Sequence, residues 1–157
     1  MAKSDTKGTD FKSMMGKLEN TLETYLVDKA PFQLPAGAKE VIVKYGPWIT
    51  LILLILALPA ILFTFGLETL VAPFAFLGGM KAGVNFGIGM IFSAVVLVIE
   101  AIAIPGLFKR AVSSWRLMYY AALLGGVESL ISFNLGGLII GTGISLYILF
   151  QIKSYYK

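Results

Sequence analysis

The sequence predicts an all-α integral membrane protein, a four-helix transmembrane bundle preceded by an amphipathic helix on the cytoplasmic side. Three observations predict it. Tyr45 to Phe65 reads YGPWITLILLILALPAILFTF, and no charged residue stands between Lys44 and Glu68. An uncharged apolar run of roughly 18 residues or more can cross a hydrocarbon core of about 30 Å as a helix. A second such stretch lies between Glu128 and Lys153. The composition agrees: 57% of residues are hydrophobic and 14% charged, with a mean hydropathy of +0.83, outside the soluble globular range.

The leader, residues 1–45, divides into three parts. Met1 to Thr9 is rich in Ser, Thr, Lys, Asp and Gly and reads as disordered. Asp10 to Asp28 reads as an amphipathic helix, because Phe11, Met15, Leu18, Leu22 and Tyr25 recur at spacings of 4-3-4-3 with Met14 and Leu26 alongside. Asp10 is the expected N-cap and Pro31 the stop. The linker APFQLPAG follows, and Ala38 to Tyr45 leads by a helical turn or two into the membrane domain, residues 46–157.

The first span is expected at about 48–65, kinked at Pro59. Residues 66–82, GLETLVAPFAFLGGMKA, are too apolar for a free loop and read as an interfacial or re-entrant hairpin carrying Glu68 and Lys81. The second span is expected at about 83–104, ended by Pro105 and Gly106. The connector LFKRAVSSWR then brings Lys109, Arg110 and Arg116. Between Arg116 and Lys153 lie 36 residues with one charge. They make about 54 Å of helix, enough for two crossings. These give a third span at about 115–132 and a fourth at about 135–152, with Ser132, Phe133, Asn134 and the Gly136–Gly137 pair as the turn.

Basic residues orient such a bundle. With four spans, the leader, the 106–116 connector and the tail share one side, which then holds twelve of the thirteen Lys and Arg, leaving Lys81 opposite. That predicts a multi-pass protein with both termini cytoplasmic, of the kind found in a bacterial inner membrane. The first apolar run lies too far in and is too long for a cleavable signal peptide, so the first span is expected to act as an uncleaved targeting anchor.

Cysteine and histidine are both absent. That removes thiolate metal sites, iron–sulfur clusters, the Cys nucleophile, the commonest haem ligand and the usual general base. No enzyme activity, cofactor or metal is expected. Residues 1–45 carry seven Lys against six Asp or Glu, so the leader is no polybasic tail and no nucleic acid is expected as a partner. GVNFGIG at 83–89 lacks the Walker Lys–Ser/Thr and opens a membrane span, so it is no nucleotide loop.

Two features carry functional weight. A carboxylate inside hydrocarbon costs on the order of 3 kcal/mol, and intramembrane acids mark ion pathways or buried pairs. Glu100 falls inside the second span and Glu128 near the outer end of the third. They are candidates either for inner and outer stations of a proton or cation path, or for ion pairs with Arg116 (or Lys109) and Lys81. Their different depths argue against one two-carboxylate site. The second feature is a set of small-residue stripes: Ala75, Gly79, Gly83 and Gly87, and Gly137, Gly141 and Ser145. Stripes of this spacing let helix backbones approach closely. The expected function is therefore a non-enzymatic membrane subunit or scaffold that assembles through glycine faces, with another protein or with its own copies in the bilayer. The alternative is a small oligomeric transporter or channel with Glu100, and Glu128 with it, in the path.

Overall fold

A computed structural model describes residues 5–157, apart from the side chains at positions 5–7, 9, 57, 60, 64 and 68. Of the expected disorder of residues 1–9, residues 1–4 lie outside what is described, as does the Glu68 side chain, whereas residues 5–9 are helical rather than disordered. The described residues form helices and short connections, with no strand among them. Helix α1 spans Asp5–Glu23 and continues as one π-helical turn, Thr24–Asp28. Helix α2 spans Ala36–Ala75, α3 Met80–Phe108 and α4 Val112–Ile131. Helix α5 opens as a π-helical turn, Gly137–Thr142, continues as an α-helix over Gly143–Ile152 and closes with a 3-10 turn, Lys153–Tyr155.

Several boundaries differ from the sequence expectation. Helix α1 starts at Asp5, so Asp10 lies inside it and is no cap; Gly8 interrupts this polar stretch at a cost of only about 1 kcal/mol. Residues 66–75 form no separate hairpin. They extend α2 in line, through Pro47, Pro59 and Pro73, to a length of 40 residues, about 60 Å. A 3-10 turn at Phe76–Gly78 and Gly79, with φ of 105°, then reverse the chain into α3. Pro105 and Gly106 do not end α3, which runs on to Phe108. Proline removes one backbone donor and is tolerated within membrane-type helices where neighbours absorb the loss. Gly106 is required here for another reason: a Cβ at this position would overlap the Ser114 hydroxyl of α4.

Two turns place non-glycine residues in the left-handed region, Arg110 and Phe133, both with φ of 54°. Each closes a helix C-terminus. The N–H of Ala111 donates to Gly106 O at 2.8 Å, and that of Asn134 to Ser129 O at 2.8 Å. These are the six-to-one bonds of a Schellman cap. Asn134 then caps α5, its Oδ1 accepting from Gly137 N at 2.9 Å.

The connections fix the helix directions. The C-terminal Lys157 accepts from Val112 N at 3.0 Å and donates to Arg110 O at 2.9 Å, so the tail lies beside the α3–α4 connector. The end of α5 and the end of α3 therefore share one end of the molecule, here called proximal, and α4 runs back between them. At the opposite, distal end, the Lys81 ammonium at the start of α3 sits 6.0 Å from the Phe133 ring in the α4–α5 turn. In its contacts α2 meets α3 and α5, and α4 meets α3 and α5.

The buried core is confined to the proximal end. Val43 of α2, Ala103 and Leu107 of α3, Trp115 and Tyr119 of α4, and Leu146 and Phe150 of α5 meet there. Trp115 stacks on Tyr119 with centroids 5.7 Å apart, and Phe150 meets both rings edge-on at 5.3 and 5.6 Å. Such aromatic pairs contribute about 0.5–1.5 kcal/mol each beyond their buried area. The Trp115 indole N–H donates to Leu149 O at 2.7 Å and ties α4 to α5. Tyr156 is buried beneath this group, and burial raises its phenol pKa while Arg110 opposes the rise.

Elsewhere the molecule is apolar on its outside. Ile52, Leu56, Leu62 and Phe63 of α2 and Ile91, Val98 and Ile102 of α3 are all exposed. Three helices are long and apolar enough to cross a membrane, over Ala36–Leu67, Met80–Phe108 and Gly137–Tyr155. Helix α4 has the length, at 20 residues, but it is not among the three. It carries Arg116, Glu128 and several hydroxyls, and with Trp115 and Tyr119 fully covered it lies between α3 and α5.

Candidate functional site

Two regions of the structure gather polar side chains. The first is the docking of the leader on the proximal end. Glu19 and Glu23 lie one turn apart on α1 and converge on Lys153, whose ammonium is 3.0 Å from Glu19 Oε1 and 2.6 Å from Glu23 Oε2. Arg116 adds a longer contact to Glu19 at 3.9 Å. The same ammonium sits 5.3 Å from the Trp115 ring and 5.8 Å from that of Phe150. Below the ion pairs, Gln151 is buried and bridges the leader. Its Nε2 donates to Leu26 O at 2.8 Å, and its Oε1 accepts from Leu34 N at 3.3 Å. The Tyr147 hydroxyl donates to Phe32 O. Leu22, Leu26 and Val27 pack on the proximal core. The distal half of the leader's apolar stripe, Phe11, Met14 and Leu18, stays exposed. The amphipathic leader therefore docks, at its second half, on its own chain.

The second region is a cleft of about 510 Å³ between α4 and α5, closed on one side by Glu100 of α3. On α4 its wall is Met118, Ala121, Ala122, Gly125, Glu128 and Ser129, one face of the helix at spacings of three and four. On α5 the wall is Gly137, Gly141, Thr142, Ser145, Ile148 and Leu149. The floor at Met118 and Leu149 abuts the Trp115–Tyr119–Phe150 cluster, so the cleft begins where the core ends. Its upper α5 wall is the π-helical turn, a rare local widening that recurs at functional sites.

Both carboxylates singled out from the sequence face this one cleft. Glu100 lies eight residues before the end of α3 and Glu128 sixteen residues after the start of α4. At the helical rise these are about 12 Å and about 24 Å from the proximal end, about 12 Å apart along the axis. The different depths expected from the sequence thus hold along the helices, while the cleft connects the two positions. Among the described residues neither carboxylate has an ion-pair partner. Arg116, expected beside Glu100, turns to Glu19, and Lys81, expected beside Glu128, lies over Phe133. Glu128 Oε1 accepts from the Ser132 hydroxyl at 2.9 Å. No trio of His, Cys, Asp or Glu suited to a metal ion occurs among the described residues.

The small residues divide between uses. Gly79 is a turn residue that needs its positive φ, so it does not continue the α3 face. At Gly83 a Cβ would come within 2.5 Å of the Phe76 ring, and at Gly137 within 2.6 Å of the Asn134 amide, so both are filled from within the chain. Gly87 and Gly141 have open space at the Cβ position, and Ser145 lines the cleft. Helices α4 and α5 also come close at Gly126, where a Cβ would meet Thr142 Cγ2 at 3.0 Å. Sequence reasoning missed Gly126 and Gln151. Gly126 follows Ala122 at a spacing of four, a signal that could have found it, and a single Gln at the end of the fourth expected span carries no sign of its partners. Comparison with family models, with curated proteins and with solved structures finds no match for this chain.

Proposed function

We propose that the chain is a non-enzymatic multi-pass membrane protein in which the α3–α4–α5 cleft is the working site, a path for a proton or cation. The observation that carries this reading is that Glu100 and Glu128 line one cleft without a cationic partner among the described residues. Two uncompensated carboxylates facing lipid would cost several kcal/mol; facing a wet or cation-holding cleft they do not. The helix directions support a four-helix bundle, since α3 and α5 run the same way and α4 must recross whatever they cross. Placing the proximal end in the cytoplasm puts the leader, Lys109, Arg110, Arg116, Lys153 and Lys157 on the basic side and Lys81 on the other. A bacterial inner membrane fits this arrangement.

The test is flux into proteoliposomes. Wild-type protein is expected to carry a proton or cation current that Glu100→Gln abolishes while leaving Trp115 emission and detergent elution unchanged. Flux that survives both Glu100→Gln and Glu128→Gln would remove the cleft from the path.

A second reading, a subunit or scaffold that assembles through glycine faces, is favoured by Gly87 and Gly141, which have room for a neighbouring backbone. The two readings are compatible, because four helices enclose little and self-association would screen the cleft from lipid. Gly87→Leu is expected to shift the native mass in mild detergent if that face carries the assembly.

A further inference from the structure

We infer that the cleft takes an apolar organic monocation, of the quaternary ammonium or phosphonium kind, with its charge at one carboxylate and its body along the α4–α5 wall. This rests on the cation-path reading and names its substrate class.

Three observations separate this class from inorganic ions. The first is spacing. Glu100 and Glu128 stand about 12 Å apart along the axis, so one ion cannot touch both, and each position offers a single negative charge. A divalent cation such as Ca2+ takes six to eight oxygen ligands in one shell, and no group of three or more His, Cys, Asp or Glu suited to a metal occurs among the described residues. Two separated single charges suit a monocation at either of two positions.

The second is size. A cleft of about 510 Å³ lies within the range of about 300–1,000 Å³ typical of small-molecule sites. A proton relay needs only a chain of hydroxyls or a file of water.

The third is the wall. Met118, Ile148 and Leu149 give an apolar floor beside Glu100, and Ala121 and Ala122 continue it as small apolar surface towards Glu128. The hydroxyls are few, Ser129, Thr142 and Ser145. An apolar lining with a small number of polar groups is how ligand sites hold an apolar body and orient it. A strongly hydrated ammonium or alkali ion would have to exchange its water for these methyl groups, whereas a weakly hydrated cation with an apolar surface gains from the same contact. Absence of aromatic rings from the wall leaves charge recognition to the glutamates.

Equilibrium binding of tetraphenylphosphonium to the full chain in nanodiscs tests the inference, with Glu100→Gln and Gly141→Leu as variants. Gly141 has open space at its Cβ position and lines the cleft, so a leucine there starts into the cleft without meeting the chain at its Cβ. If Glu100→Gln fails to fold, Gly141→Leu decides alone. The expected result is saturable binding by wild type, weakened at least about tenfold by each folded variant, a loss of about 1.4 kcal/mol. Wild-type binding that both variants retain would place the site elsewhere and overturn the inference. No saturable wild-type binding, together with Glu100-dependent proton or sodium flux, would overturn the substrate class and leave the cation path standing. Absence of both binding and flux would overturn the two together.

Discussion

Replacing Gln151 by leucine should release the leader from the proximal end. Gln151 is 2% exposed and reaches both sides of the linker, donating to Leu26 O at 2.8 Å and accepting from Leu34 N at 3.3 Å. Leucine fills a similar volume but satisfies neither group. A backbone group left unpaired on loss of its partner costs about 1–3 kcal/mol. The Leu34 contact is long and belongs at the weak end, so the pair together is worth about 2–3 kcal/mol. A tenfold change in an equilibrium constant corresponds to about 1.4 kcal/mol, so the undocked population should rise by about 30- to 150-fold. Native-state hydrogen exchange in detergent reads this directly. Amides of residues 20–34 should exchange faster by that factor in Gln151→Leu, while those of 103–107 and 115–121 hold their protection. Unchanged exchange over 20–34 would refute the reasoning and assign the docking to Lys153 and Tyr147 instead.

Lys153→Met should loosen the same segment by about 1–3 kcal/mol, because it removes charge-assisted contacts to Glu19 and Glu23 that are only partly exposed; added salt should shrink the difference between this variant and wild type, read by the same exchange experiment. Gly126→Leu should destabilise the fold by about 1–3 kcal/mol through overpacking against Thr142, whereas Gly141→Leu should leave the melting temperature in detergent unchanged. Gly106→Ala should cost a similar 1–3 kcal/mol, roughly, through the Ser114 hydroxyl, and the double variant Gly106→Ala, Ser114→Gly should recover part of that loss in the same melt.

The apolar runs were legible because length and hydropathy alone point to helices: the stretch after Lys44 is helical, that after Glu128 is helical on both sides of the 132–134 turn, and no strand occurs among the described residues. Proline was the misleading signal. Pro105 ends a helix in water, yet α3 passes through it, and α2 passes through three prolines. The glycine stripes were misleading for a different reason. A period of four assumes one continuous helix, and Gly79 breaks the first stripe at a turn. Glu100 and Glu128 were singled out by the cost of a carboxylate in hydrocarbon, but their joining in one cleft depends on how α4 packs between α3 and α5. Nothing in a single sequence expresses that pairing. Docking of the leader was half legible: its apolar stripe was visible, while its acceptor, a Gln at the end of the fourth expected span and the Lys just beyond it, carries no sign of a partner in the sequence.

The uneven packing of the molecule bears on how the cleft would work. All of the fully buried aromatic side chains sit at the proximal end, directly beneath the cleft floor at Met118 and Leu149. An occupant entering from the distal half meets no such barrier, whereas passage to the proximal side requires Trp115, Tyr119 and Phe150 to part. Those rings are held from the far side by Lys153, which ties them through its cation–π contacts to Glu19 and Glu23 of the leader. The leader is thus mechanically continuous with the closure of the cleft. If the cleft carries a cation, as proposed, the proximal seal is the element that has to open. Loosening the leader through Gln151→Leu or Lys153→Met should then raise Glu100-dependent flux. A drop in flux on undocking would make the leader a structural brace rather than part of the seal.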